Sequence, residues 1–93
     1  MYVGIVRVEL HVPAAQSLKD KRAVVRALKD RIRARTGAAV AEVDHQDLWQ
    51  RAALGVAVVS GDHSHLAEQL SDVRGIIESR PDAVVLDWQE RES

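Results

Sequence analysis

The densest run of chemically versatile side chains is Asp44-His45-Gln46-Asp47-Leu48-Trp49-Gln50-Arg51. A tight turn between strands needs little more than Asn-Gly. This one carries two acids, a histidine, two amides, an indole and a guanidinium. Trp49 beside Gln50 and Arg51 is suited to stacking on a base or anchoring a protein partner. A purely structural use competes with that reading. In it Asp44 or Asp47 pairs with Lys21 or Arg22, and Trp49 covers the end of the core. Glu42 joins the pairing or faces solvent on an edge strand.

The second group is cationic. At 100° per residue, Lys19, Arg22, Arg26, Lys29 and Arg33 fall within an arc of about 80°, a stripe about 20 Å long beside the apolar face of a helix. Lys and Arg spaced along a rigid rod can follow a phosphate backbone and release its counterions. The competing reading is a solvated face exchanging ion pairs with Glu68, Asp72 and Glu78. Lys21 is different, because its angle points into the apolar face. A cation in a first helical turn gains nothing from the helix dipole, so a carboxylate or a bound anion is expected near it. Charge is split accordingly: residues 17–36 hold eight Lys/Arg and two Asp, the remainder five Lys/Arg and twelve Asp/Glu, for a total of −1.

Metal and catalytic chemistry fare worse. Asp44-His45-x-Asp47 and Asp62-His63-x-His65 both resemble ligand sets, but the topology below puts them at opposite ends of the domain. His63 and His65, two apart, do not share a helix face. Asp62 reads as a helix cap. There is no Gly-rich phosphate loop, nucleophile elbow or metalloprotease pair, and with no cysteine there is no thiolate ligand or nucleophile. No enzyme activity, cofactor or metal is expected.

These groups need a scaffold, and 93 residues allow one core. Surface scaling gives roughly 5,300 Å² exposed when folded. No basic leader opens the chain, and Ala52–Val59, the longest apolar run, is too short for a bilayer. A soluble cytoplasmic single domain is the expectation. Tyr2–Val12 alternates as a strand, with Gly4, Val6, Val8 and Leu10 on one face and Val3, Ile5, Arg7, Glu9 and His11 on the other. Ser17 caps a helix with Leu18, Val24, Val25, Leu28 and Ile32 inward and Gly37 at its end. Strands follow at 38–44 and 51–60. A second helix starts at Gly61–Asp62, buries Leu66, Leu70, Val73 and Ile77, and stops before Pro81. A last strand spans 83–88, leaving 89–93 as a polar tail.

The order β-α-β-β-α-β predicts an α+β, ferredoxin-like fold, two helices on one face of a four-stranded antiparallel sheet. Its open face would show Val3, Ile5, Arg7, Ala53, Gly55, Ala57 and Val59, without the aromatics that an RNA-recognition motif stacks on bases. Val3, Ile5, Ala53, Ala57 and Val59 suit contact with a second copy.

Ser17-Leu18-Lys19-Asp20-Lys21-Arg22, Ala41-Glu42-Val43 with the 44–51 run, and Leu54-Gly55-Val56-Ala57-Val58-Val59-Ser60 together resemble the YlxP-like family of small bacterial proteins. The resemblance implies a ferredoxin-like fold and no established catalytic residue. It also implies genes set among translation and ribosome-maturation factors, hence RNA or the ribosome as partner. Both polar motifs belong to one end of the predicted fold. The leading expectation is a ribosome- or RNA-associated accessory factor. Lys19, Lys21, Arg22, Arg26, Lys29 and Arg33 would supply charge, and Gln46, Trp49, Gln50 and Arg51 stacking and hydrogen bonds. The alternative is a homodimeric protein-interaction or small-ligand domain using Asp44–Arg51 without nucleic acid.

Overall fold

A computed structural model describes residues Met1–Ser93. The elements run β1 (Tyr2–His11), α1 (Leu18–Thr36), β2 (Ala39–Asp44), β3 (Arg51–Ser60), α2 (His63–Glu78) and β4 (Val84–Glu92). The strands form one antiparallel sheet in the order β2-β3-β1-β4. This is the predicted ferredoxin-like α+β architecture.

Local sequence sets the helix limits. The Ser17 side chain accepts a hydrogen bond from the Asp20 N–H, and Asp62 accepts from the Ser64 and His65 N–H groups. Both satisfy amides that a helix start leaves unpaired. Gly37 ends α1 in the left-handed region at φ 67°, its N–H donating to the Arg33 carbonyl; a side chain there would be strained.

Period two in β1 and β3 and the apolar stripes of α1 and α2 converge on a single cluster of 18 buried residues. Val6, Val8, Leu10, Leu54, Val56 and Val58 meet Leu28, Ile32, Leu66, Leu70, Val73 and Ile77 there. Gly4 lets α2 approach closely, since a Cβ at that position would lie 2.8 Å from Leu70 Cδ1. Gly75 instead lines an open groove of about 340 Å³ between the helices, beside Arg31, Arg35 and Asp72. The accessible area of 5413 Å² matches the size expectation for an isolated domain.

One element differs from expectation. Residues 89–93 are not a tail: β4 pairs with β1 as far as Gly4↔Glu92, and Val3 and Ser93 exchange two backbone hydrogen bonds. Main-chain bonds of an edge strand do not need apolar side chains, so a polar run hides them from hydropathy. The inward side of that run is nonetheless used. Within it Glu92 accepts from His63 at 2.8 Å, and just ahead of it Trp88 lies under the Arg74 guanidinium at 5.0 Å.

Candidate functional site

β1 and β2 run toward the end of the sheet where the β2–β3 turn and the β1–α1 loop meet. Lys21 fastens that end. Its side chain is 0% exposed, and Nζ donates to the His45 carbonyl at 2.7 Å and the Gln46 carbonyl at 3.2 Å. Glu42 Oε2 completes the set as an ion pair at 3.0 Å, a contact of charge without hydrogen-bond geometry. The ammonium thus meets three oxygens, two by hydrogen bonds and one by charge alone. The carboxylate expected near Lys21 exists, but it is Glu42, not Asp44 or Asp47, and Arg22 pairs with neither acid. Lys21 is closed to any external anion and leaves the candidate binding set.

On the opposite face of the sheet the same turn is held by a network centred on Glu9. Arg7 Nη2 lies 3.0 Å from Glu9 Oε1, while His45 Nε2 and Arg51 Nη2 approach Glu9 Oε2 at 2.9 and 3.3 Å. Arg7 also reaches Asp44 at 3.2 Å. Register builds this cluster. Glu9 pairs with Ala53, Ala53 with Asp44, and a bulge at Val43 turns both Val43 and Asp44 to the open face. His45 takes a positive φ of 63° to swing its ring back.

Burial by itself raises the Glu9 carboxyl, but hydrogen bonds from Arg7, His45 and Arg51 outweigh it and hold the group below its ordinary range. Asp44 is lowered first by the His45 backbone N–H and then by Arg7. The Arg7 guanidinium is correspondingly raised by its hydrogen bonds to Glu9 and Asp44. Sequence reasoning placed Arg7 and Glu9 on the open face but not in this site. Their i, i+2 spacing opposite Ala53 and Gly55 was the available signal.

This network changes the standing of several residues. Ala53, expected on an exposed dimer face, is fully buried beneath Glu9 and Asp44. Arg51 is committed to Glu9. Gln50 donates to the Pro13 and Ala15 carbonyls, and its own carbonyl accepts from Val12 and from the His11 ring, so it ties the two loops together. Gln46 makes one long contact of 3.4 Å to the Glu42 carbonyl. The exposed tip residues whose side chains make no hydrogen bond are Asp47, Leu48 and Trp49. Trp49 is 55% exposed and does not cover the core.

Along α1 the picture reverses. Lys19, Arg22, Arg26, Lys29 and Arg33, with Arg31 and Arg35 on the flank toward α2, have no carboxylate within 4.0 Å. The acids expected to neutralise the stripe are elsewhere: Glu78 pairs with Arg74 at 2.8 Å, and Glu68 sits 4.0 Å from His65. Asp72 shares the interhelical groove with Arg31 and Arg35 without closing to pairing distance. Arg33 alone is engaged, donating to the Val40 carbonyl on the β2 edge at 2.7 Å.

The histidines do not assemble a metal centre. His63 bonds Glu92 and meets the Tyr2 ring edge-on at 5.4 Å. His45 directs Nε2 to Glu9 and Nδ1 toward Asp44, so the two carboxylates lie on different sides of its ring. No three His, Asp or Glu groups converge on a point. No helix is long and apolar enough to cross a membrane.

Residues 3–90 match the family model described as a protein of unknown function, DUF503. The chain belongs to that family. It is 32% identical over 80 residues to the uncharacterized protein YlxP of Bacillus subtilis strain 168, an alignment covering 86% of this chain and 87% of that one. The family and the relative agree with the YlxP-like resemblance of the two polar motifs. Neither description carries an activity, so function rests on the site's own chemistry.

Proposed function

We propose that this DUF503 protein is a ribosome- or RNA-associated accessory factor. In this reading α1 lies along a phosphate backbone and the Trp49 tip receives an unstacked base. The observation that carries the proposal is the set of α1 cations without carboxylate partners, in a chain whose other Arg side chains nearly all have one. Unpaired exposed charges cost little in water, so folding does not require them to be there. Arranged on one face of a rod, they give a polyanion several phosphate contacts in register. The Lys21 and Glu9 attachments hold Trp49 at the end where Lys19 and Arg22 begin. The sheet contributes nothing of the kind, having no aromatic on its open face.

Fluorescence anisotropy with structured ribosomal RNA fragments across a salt series tests this. Five phosphate contacts give a log–log slope of about −3.5 to −4.5. Arg22→Glu with Arg26→Glu should abolish most of the affinity, and both positions are exposed and free of internal bonds. Arg33 is a poorer choice because it holds the β2 edge. Trp49→Ala should weaken binding without changing the slope. Absence of binding at low salt would overturn the proposal. Leu48 and Trp49, exposed side by side, would then make a protein or small-ligand contact at the tip the better reading.

A further inference from the structure

We propose that the groove between α1 and α2 binds a small phosphate monoester that also carries hydroxyl groups, a ligand of the sugar-phosphate class. Arg31 and Arg35 line it from α1, and Ser71, Asp72 and Gly75 line it from α2. Gly75 is the residue that needs a reason. It sits inside α2 with an ordinary helical backbone, not a left-handed one, and an interior glycine weakens a helix relative to alanine. Close packing does not demand it either, since a Cβ there would meet nothing within 4 Å. Gly4 is the reverse case, because its Cβ would strike Leu70. What the missing Gly75 side chain leaves behind is the groove itself, about 340 Å³.

The two walls select the ligand. Arg31 and Arg35 lie one turn apart, about 6 Å along the axis, and no carboxylate comes within 4.0 Å of either. A single guanidinium fork already satisfies both oxygens of a carboxylate. Two forks on one helix face match the three acceptor oxygens of a phosphate monoester better. On the other wall Asp72 has no donor and the Ser71 hydroxyl no partner, whereas Ser79 is engaged, donating to the Ile76 carbonyl at 2.7 Å. A carboxylate there repels a second anionic group and accepts from hydroxyls. Size and position separate this ligand from a polyanion. The volume lies at the lower end of the roughly 300–1,000 Å³ of small-molecule sites. At about 100° per residue, Arg31 and Arg35 point about 180° around α1 from the stripe that runs from Lys19 to Arg33. Nucleic acid lying on the stripe does not enter the groove, so the proposal stands or falls apart from RNA binding.

Two-dimensional nitrogen–proton NMR of the full chain, titrated with ribose 5-phosphate, decides it. The Nε–H signals of Arg31 and Arg35 and the amides of Ser71 and Gly75 should move together. They should saturate with a dissociation constant on the order of 1 mM, as a few charge-assisted bonds in an open groove support. Inorganic phosphate should bind about tenfold more weakly, and Asp72→Ala should erase that difference. Gly75→Leu fills the groove and leaves both arginines in place. It should abolish the titration while thermal stability stays level or rises, the opposite of a folding defect. Should that variant misfold, the Arg31→Gln, Arg35→Gln double variant carries the same test, with an expected loss of about tenfold or more. Absence of a saturable shift up to about 10 mM, ten times the expected constant, overturns the proposal. So does binding that survives Gly75→Leu in folded protein. Inorganic phosphate binding as tightly as ribose 5-phosphate would reduce the groove to an adventitious anion contact and overturn it as well. Groove signals that move with an RNA oligonucleotide and not with ribose 5-phosphate would overturn it in favour of nucleic acid.

Discussion

Two charged regions of this molecule follow opposite rules. Around Glu9 and Lys21, every long side chain has a partner. Arg7, Arg51 and His45 converge on one carboxylate, and Lys21 meets three oxygens in a dry setting. Along α1, seven cations face water with no acid in reach. The first arrangement makes a structure. It fixes the β2–β3 turn from both faces of the sheet and so aims Trp49. The second makes no internal contribution beyond Arg33, and is the part of the surface left available to something outside. Charge count alone does not separate these roles; partner count does.

Breaking the buried region should have the largest effect. Lys21→Met leaves Glu42 without its cation and two carbonyls without a donor, and should cost about 3–5 kcal/mol in denaturant unfolding. Removing both charges with Lys21→Met and Glu42→Leu should recover part of that loss, a coupling a double-mutant cycle reads directly. Additivity of the two changes would show that the pair does not fasten the turn.

Glu9 comes next. Glu9→Gln should cost about 1–2 kcal/mol near neutral pH, where it exchanges charge-assisted hydrogen bonds for neutral ones. The carboxyl is held below its usual 4.5 and that of Asp44 below its usual 3.8. Their contribution is therefore complete above those values and is lost as pH falls through the lowered ones. The wild type should lose stability steeply below about pH 4, and Glu9→Gln should lose less, so the two unfolding curves approach one another in acid. Parallel curves would remove the network from the account.

The smallest effect sharpens the contrast. Arg22→Gln and Arg26→Gln should each change stability by no more than about 0.5 kcal/mol, as expected for exposed side chains without partners. A larger loss would mean that the stripe is structural after all. The same substitutions should lower RNA affinity, so stability and binding separate cleanly on α1 and do not on Lys21.

Much of the scaffold was readable from residue order. Alternation in Tyr2–His11, the Ser17 and Asp62 caps, Gly37 and the inward stripes of both helices are local signals, and local geometry honours them. The anomaly of Lys21 was readable too, since a helix angle needs no tertiary information. Its partner was not. Glu42, Asp44 and Asp47 are chemically equivalent on paper, and only the pleat of β2 and the bulge at Val43 decide that Glu42 faces the helices while Asp44 faces the open side. Arg7 and Glu9 joined the site for the same reason. They lie some forty residues from the turn, and antiparallel register, not sequence proximity, carries them there.

Sequence by itself thus determined the elements, their order and the existence of one polar end and one basic helix. Periodicity and capping act over three or four residues and are written directly into the chain. Tertiary structure decided which charges are spent internally, that Gln50 and Arg51 support the turn while Trp49 stays exposed, and that Gln89–Glu92 complete the sheet. Pairing across strands and contact between layers depend on register and bulges. Those are properties of the assembled sheet, and no short window of residues contains them.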